Sequence, residues 1–117
     1  MEFEMKLQPK FFDLIKNGRK IHEIRLNDEK RKLIDVSDVI VFKKEPDLLQ
    51  SVRTRVEELK HFATFKDMLE NIPLAEIGFD GFNKKEVIDI YHNFYSPKDE
   101  LVYGVLAIKI KLIWFMF

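Results

Sequence analysis

The chain has 117 residues, of which 46% are hydrophobic and 34% are charged, and its formal net charge is zero. This length suits one domain with one core, the balance of residue types excludes a disordered chain, and the neutral charge gives no global field that would attract nucleic acid. The sequence has no cysteine, which excludes disulfides, thiolate metal sites and cysteine nucleophiles and fits a reducing compartment.

The N-terminal part of the chain predicts a strand, a helix and two further strands. Residues 2–7 alternate between charged and apolar types, which is the period of a half-buried strand. Pro9 can begin a helix of about eight residues, and Gly18 marks its end. Residues 20–26 predict the second strand, and residues 36–44 read as a turn that leads into the third.

The C-terminal part predicts one long strand, two helices and a final strand. Residues 52–62 alternate enough for the long strand, Thr64 can cap one helix and Asn83 another. Ser96–Pro97 reads as a stop, after which residues 101–117 predict one long terminal strand. The predicted order is therefore β-α-β-β-β-α-α-β. Because the strands follow one another with few helices between them, we expect a single α+β domain over residues 1–117, with about five strands in a small, partly open barrel.

Several short motifs occur in a particular order along the chain. The stretch GRKIHEIR contains the pattern G-x-K-x-x-E-x-R, formed by Gly18, Lys20, Glu23 and Arg25. A D-x-I-x-F strand follows at residues 38–42, and the C-terminal part contains YSP at residues 95–97 and YGVLAI at residues 103–108. In this order and spacing the motifs resemble the activating-signal-cointegrator homology (ASCH) family, and the resemblance covers nearly the whole chain.

The resemblance implies both a fold and a site. The family is related to the pseudouridine-synthase/archaeosine-transglycosylase (PUA) fold, a β-barrel with helices packed at its ends. It also implies a cleft between the first helix and the barrel, lined by the G-x-K-x-x-E-x-R motif, which accepts RNA or a nucleoside. Ser37 departs from the family, which commonly has glycine there, and a serine can make the same turn if its φ stays negative.

The residue types of the motif suit a phosphate-bearing ligand. Lys20 offers a point charge for phosphate, and Arg25 suits bidentate recognition of phosphate or guanine. Glu23 either reads a base edge or pairs with Arg25, and a purely structural ion pair at the barrel rim is the alternative. We expect Arg19 to add to the positive field and Tyr103 to contribute to the ligand site. Among the aromatic residues, Phe79 and Phe82 are the ones expected to be exposed, in a loop beside two glycines.

A small hydrolase is the second hypothesis. Some bacterial members of the resembled family cleave the amide of N4-acetylcytidine with a lysine, a threonine three residues later and a downstream glutamate. Lys20 matches the lysine and Glu76 is a counterpart for the glutamate, but Glu23 stands in place of the threonine and cannot supply its hydroxyl. A glutamate acting as general base, with Lys20 stabilising the oxyanion, would be a different route. Weak ribonuclease activity would need Tyr103 or Ser96 beside Lys20.

A protein-interaction module is the third hypothesis. The apolar segment LIWFMF, residues 112–117, is far shorter than the roughly 20 residues that span a bilayer, and it would instead pair with a partner or form a homodimer with a second copy. The N-terminus lacks a basic region followed by an apolar run, so we expect a cytoplasmic protein without a membrane partner. The three histidines are scattered, so we predict neither a metal site nor a cofactor.

Overall fold

Five strands and four α-helices make up most of residues 1–113, the part of the chain that the computed structural model describes. The strands are β1 (Glu2–Leu7), β2 (His22–Leu26), β3 (Val39–Lys44), β4 (Ser51–Phe62) and β5 (Val105–Leu112). The helices are α1 (Pro9–Lys16), α2 (Phe65–Asn71), α3 (Lys84–Phe94) and α4 (Pro97–Tyr103), and two 3-10 turns lie at Arg31–Leu33 and Leu74–Ile77. No helix within this range is long and apolar enough to cross a membrane.

The five strands form one sheet in the order β1-β3-β4-β5-β2, curled into a half-barrel. The β1–β3 pair is parallel and the other pairs are antiparallel. Although β1 and β2 are the two edges of this sheet, Arg25 Nη2 on β2 donates a hydrogen bond to the carbonyl oxygen of Lys6 on β1 over 3.1 Å. The curl therefore brings the two edges face to face. The prediction of an α+β domain with a small, partly open barrel is confirmed.

Apolar residues pack on both faces of the curled sheet. On one face α1 buries Phe12 and Ile15 against β1, β3, β4 and β5. On the other face α3 buries Val87 and Tyr91 against α2, β2 and β5. Phe11 contacts both clusters. As a result, α1 and α3 lie on the two sides of the gap between β1 and β2.

The helix caps read from the sequence are confirmed. Thr64 Oγ1 accepts a hydrogen bond from Asp67 N over 3.1 Å at the start of α2. Asn83 and Glu86 form a reciprocal capping box at the start of α3, in which each side chain accepts from the other's backbone N–H. These caps fix where the two helices begin.

The helix before Ser96–Pro97 does stop there, since α3 ends at Phe94, but the prediction that one strand fills residues 101–117 is wrong. Ser96 Oγ accepts from Asp99 N over 3.1 Å and caps α4, and Pro97 occupies its first turn, where a missing N–H is harmless. Tyr103 is thus helical, and β5 begins only after Gly104. Gly104 has φ +73°, and a Cβ there would lie 3.1 Å from the carbonyl oxygen of Phe62. Residues 114–117, which carry most of the apolar segment predicted to form a dimer, lie outside the described residues.

The expectation that Ser37 makes its turn with a negative φ is wrong. Its φ is +77°, in the left-handed region that favours glycine, so this serine makes the turn against a conformational cost. Hydrogen bonds hold the turn in place: Ser37 N donates to the carbonyl oxygen of Val56, and Asp38 Oδ2 accepts from Asp35 N, each over 2.8 Å. A glycine at this position would make the same turn without that cost.

Candidate ligand-binding cleft

A cleft of about 210 Å³ opens where the two edges of the sheet face each other. Its walls come from β1, β2, α1, α3 and the loop that follows the second 3-10 turn. The charged residues that line it are Lys6, Lys20, Glu23, Arg25 and Glu45. The aromatic residues that line it are Phe11, Phe79, Tyr91, Phe94 and Tyr95.

The floor of the cleft is a cluster of three charged side chains from the GRKIHEIR stretch. Lys20 Nζ lies 2.8 Å from Glu23 Oε1, and Arg25 Nε donates to Glu23 Oε2 over 2.7 Å. The side chains of Lys20 and Glu23 are each only 5% exposed. We call Lys20, Glu23 and Arg25 the charge cluster.

The backbone explains why the charge cluster forms. Glu23 and Arg25 lie two apart on β2 and so share a face of the strand. Lys20 precedes β2: its N–H donates to the carbonyl oxygen of Leu14 as the chain leaves α1. Because Lys20 is not bound by the alternation of the strand, its side chain reaches the same face as Glu23. The prediction that β2 begins at residue 20 is therefore wrong by two residues, and this offset is what brings the lysine into the cluster.

The two cations keep the carboxylate ionised. Burial alone would raise the pKa of Glu23, but the charges and hydrogen bonds of Lys20 and Arg25 outweigh it and lower that pKa below its ordinary value. Burial likewise opposes the charged form of Arg25, and the Glu23 carboxylate overcomes it and raises the pKa of the guanidinium. The cluster therefore holds two positive charges and one negative charge at neutral pH.

Aromatic rings surround the charge cluster. Lys20 Nζ lies 4.8 Å from the ring centroid of Phe11, at cation–π distance, and Phe11 meets Phe79 edge to face at 5.3 Å. Burial raises the pKa of Tyr91 well above its ordinary value, and burial also raises the pKa of Tyr95. Both phenols therefore remain protonated at neutral pH, and each can donate a hydrogen bond.

The sequence profile of the ASCH domain matches residues 5–113. The chain belongs to the ASCH family. It is 35% identical to hypothetical protein PH0355, whose crystal structure superposes with a TM-score of 0.86 over 97% of this chain and 100% of that one. It is 36% identical to protein PF0455 from Pyrococcus furiosus, solved by NMR, with a TM-score of 0.77 over 98% of this chain and 100% of that one.

More distant structures share the fold. The ASCH domain from Lactobacillus crispatus JV V101 is 18% identical, with a TM-score of 0.67 over 95% of this chain and 79% of that one. A search of curated proteins gave no match.

This ASCH domain brings only some of the predicted site residues together. Lys20, Glu23 and Arg25 all line the cleft. Arg19 is exposed and does not line it, because its backbone belongs to the turn that ends α1. Tyr103 does not line it either, because the unpredicted helix α4 places this residue against the apolar cluster under α2 and α3.

Glu76 lies on the other face of β2 in this ASCH domain. Its Oε1 is 3.3 Å from Nδ1 of His22, whose side chain is 5% exposed. The contact is close enough for attraction but is not aligned as a hydrogen bond, and neither ring nitrogen has a hydrogen-bond partner in the described residues. Burial lowers the pKa of His22, and Glu76 only partly opposes this shift. The structure therefore does not place Glu76 beside Lys20, as the hydrolase hypothesis requires.

Within residues 1–113, no three His, Asp or Glu side chains lie close enough to hold a metal ion.

The two aromatic residues of the loop beside Gly78 and Gly81 are covered by protein. Phe79 lines the cleft but is buried, and Phe82 is half-buried, with Lys10 Nζ 4.8 Å from its ring centroid. The expectation that these two residues are exposed is wrong, because they pack edge to face on each other and the loop folds inward.

Three cleft residues, contributed by α3 and its end, were not assigned to the site from the sequence. Phe94 and Tyr95 lie three and four positions after Tyr91, so the last turn of the helical pattern places all three on one face. That spacing was visible in the sequence. What the sequence lacked was the direction of α3 relative to β2, which decides that these residues face the charge cluster.

Proposed function

We propose that this ASCH domain binds RNA, with one nucleotide unit held in the cleft over the charge cluster. One observation carries the proposal: a buried lysine and a partly buried arginine share a single buried carboxylate at the floor of an aromatic-walled cavity. The excess of one positive charge there favours an anion, and phosphate is the anion that every nucleotide brings.

Arg25 has donors left for such an anion. It uses Nε for Glu23 and one Nη2 proton for the carbonyl oxygen of Lys6, and the rest of its guanidinium remains available. Glu23 fixes the positions of both cations before a ligand arrives. A preorganised pair of cations loses less conformational entropy on binding than two mobile side chains would lose.

The walls and size of the cleft support a single nucleotide unit. Its volume of about 210 Å³ is below the roughly 300–1,000 Å³ of pockets for drug-sized ligands. That space suits one base or nucleoside and excludes a double helix. Aromatic walls and protonated tyrosines offer stacking surfaces and hydrogen-bond donors, the features by which proteins bind unpaired bases.

Binding is favoured over hydrolysis by the state of the carboxylates. A general base works best when its pKa lies near the working pH, and the pKa of Glu23 is shifted the other way. Both of its oxygens are also occupied by the two cations. Glu76, the other candidate, contacts His22 instead.

The experiment is a binding titration of a mixed single-stranded RNA pool against wild type, Lys20→Met and Arg25→Gln. Each variant removes one cluster charge, so we expect affinity to fall by about tenfold or more and the slope of log K against log salt to become shallower. Lys66→Ala, which removes an exposed charge on α2 outside the cleft, is the control for non-specific attraction.

Thermal unfolding confirms that each variant is folded before its affinity is compared. Equal affinity of the folded Lys20→Met and Arg25→Gln proteins with wild type would overturn the proposal. Acetate release from N4-acetylcytidine at high protein concentration, lost in Lys20→Met, would show hydrolysis in its place.

A further inference from the structure

Phe94 differs from the other aromatic residues of the cleft. It is the last residue of α3 and lines the cleft, yet it is 63% exposed. Phe79 and Tyr91 are buried, and Phe11 and Tyr95 are partly buried. One large aromatic surface therefore lies in water at the mouth of a cleft whose inner rings are covered by protein.

We propose that the ligand is an RNA single strand of at least two nucleotides, with one unit inside the cleft and the base of its neighbour stacked on Phe94. This rests on the proposed function and assigns the class of ligand: an oligonucleotide, and not a free nucleoside or mononucleotide. A ligand of one unit among the buried rings would leave the exposed side of Phe94 uncovered.

The lining of the cleft divides into buried rings and one exposed ring. The cleft holds about 210 Å³, and its inner walls are fixed by packing of Phe11 on Phe79 and of Phe79 on Tyr91. A base among these buried rings would lie inside the cleft, away from the exposed side of Phe94. A base connected to the first through a phosphate would leave by the open mouth, which Phe94 lines.

Charge favours a nucleic acid strand over a protein surface at this mouth. The charge cluster contributes one excess positive charge at the floor, and the cleft is also lined by Lys6 and Glu45, whose opposite charges leave that excess unchanged. A strand satisfies these charges and the exposed ring together, since phosphates alternate with bases along it. An apolar protein partner would cover the cleft and leave its one excess positive charge without an anion.

The test compares two probes on two proteins. The probes are homotrinucleotides of each of the four RNA bases and the corresponding nucleoside 5′-monophosphates, titrated by NMR chemical shift. Because stacking of one base on an aromatic ring changes affinity by roughly tenfold, we expect Phe94→Ala to weaken the trinucleotide by about that factor. The monophosphate affinity is expected to fall clearly less than the trinucleotide affinity, and Phe94→Trp is expected to restore the trinucleotide affinity.

The matched control is Leu101→Ala, which removes an even more exposed apolar side chain on α4 that does not line the cleft, and which is expected to change neither affinity. If Phe94→Ala leaves the trinucleotide affinity unchanged, or weakens both probes equally, the inference is overturned while cleft binding stands. If wild type binds neither probe, the proposed function fails and this inference fails with it.

Discussion

Two buried glutamates, Glu23 and Glu100, are held in opposite ways. Glu100 Oε2 accepts from the backbone N–H of Phe65 over 2.7 Å, and its Oε1 lies 2.8 Å from His92 Nε2. Its partners are 35 and 8 residues away in sequence, so this carboxylate joins α4 to the start of α2 and to α3. Glu23 instead finds both charged partners within three residues of itself.

The difference separates a carboxylate whose burial the fold explains from one whose burial the fold does not explain. Removing Glu100 would disconnect three helices, which explains its burial through the fold alone. The ion pairs of Glu23 connect no distant elements, and a buried ion pair is weak evidence for stability because desolvation offsets the attraction. The charge cluster also lines a cavity, whereas Glu100 lines none of those described. We infer that the charges of the charge cluster are retained for a ligand.

The largest expected effect comes from removing Glu23 alone. Glu23→Ala leaves Lys20 and Arg25 facing each other in a buried site without a counter-charge, and we expect the free energy of unfolding to fall by about 3–5 kcal/mol. Urea denaturation measures it. Glu70→Ala, at an exposed position of α2, is the control and is expected to change stability by no more than about 0.5 kcal/mol. A loss as small as that of the control would show that the buried cations need no counter-charge.

The sequence predicted much of the fold because local signals decided it. Alternation placed β1, β3 and β4, and the side-chain oxygens of Thr64 and Asn83 marked where two helices begin. The failures came where one signal has two meanings. Proline ends a preceding helix but also suits the first turn of a new one, which is why α4 was missed.

The site was less predictable than the fold. Lys20, Glu23 and Arg25 are close in sequence, so their motif was enough to group them. Tyr103 and Glu76 were assigned from distant parts of the chain, where only the packing of helices and turns on the sheet decides which face a residue reaches. Glu76 lies beside His22, on the face of β2 opposite to Glu23, whereas the hydrolase hypothesis needs it beside Lys20.

A smaller effect on stability is expected from lowering the pH, which protonates His22 on one face of β2 before Glu23 on the other. Burial lowers the pKa of His22, so below about pH 6.5 the unfolded chain binds a proton that the folded protein does not. Stability therefore falls with falling pH from about 6.5 to the folded pKa, by at most about 1.4 kcal/mol per pH unit. The pKa of Glu23 is also lowered, so its contribution is fully present above about pH 4.5 and is lost as the pH falls through its folded pKa.

Urea denaturation at a series of pH values from 7.5 to 3.5 would resolve the two windows. His22→Asn is expected to remove the slope that begins near pH 6.5 and to keep the loss below about pH 4.5. His61→Asn, at an exposed position of β4, is the matched control and should keep both. An unchanged upper slope in His22→Asn would assign that titration to another group.

The smallest stability effect is expected when the charge cluster is replaced as a whole. Lys20→Met, Glu23→Leu and Arg25→Met together leave no uncompensated charge, so we expect stability within about 1 kcal/mol of wild type although RNA binding is lost. The bond from Arg25 to the carbonyl oxygen of Lys6 is exposed, and water can replace it.

Apolar replacement of the charged group should not preserve stability at Glu100. Glu100→Leu with His92→Leu still leaves the N–H of Phe65 without its acceptor, because that donor belongs to the backbone, and we expect a cost of about 1–3 kcal/mol. Urea denaturation of both sets measures the contrast. If the triple replacement also costs as much as Glu23→Ala alone, the charge cluster stabilises the fold, and its excess positive charge is no longer evidence for a ligand.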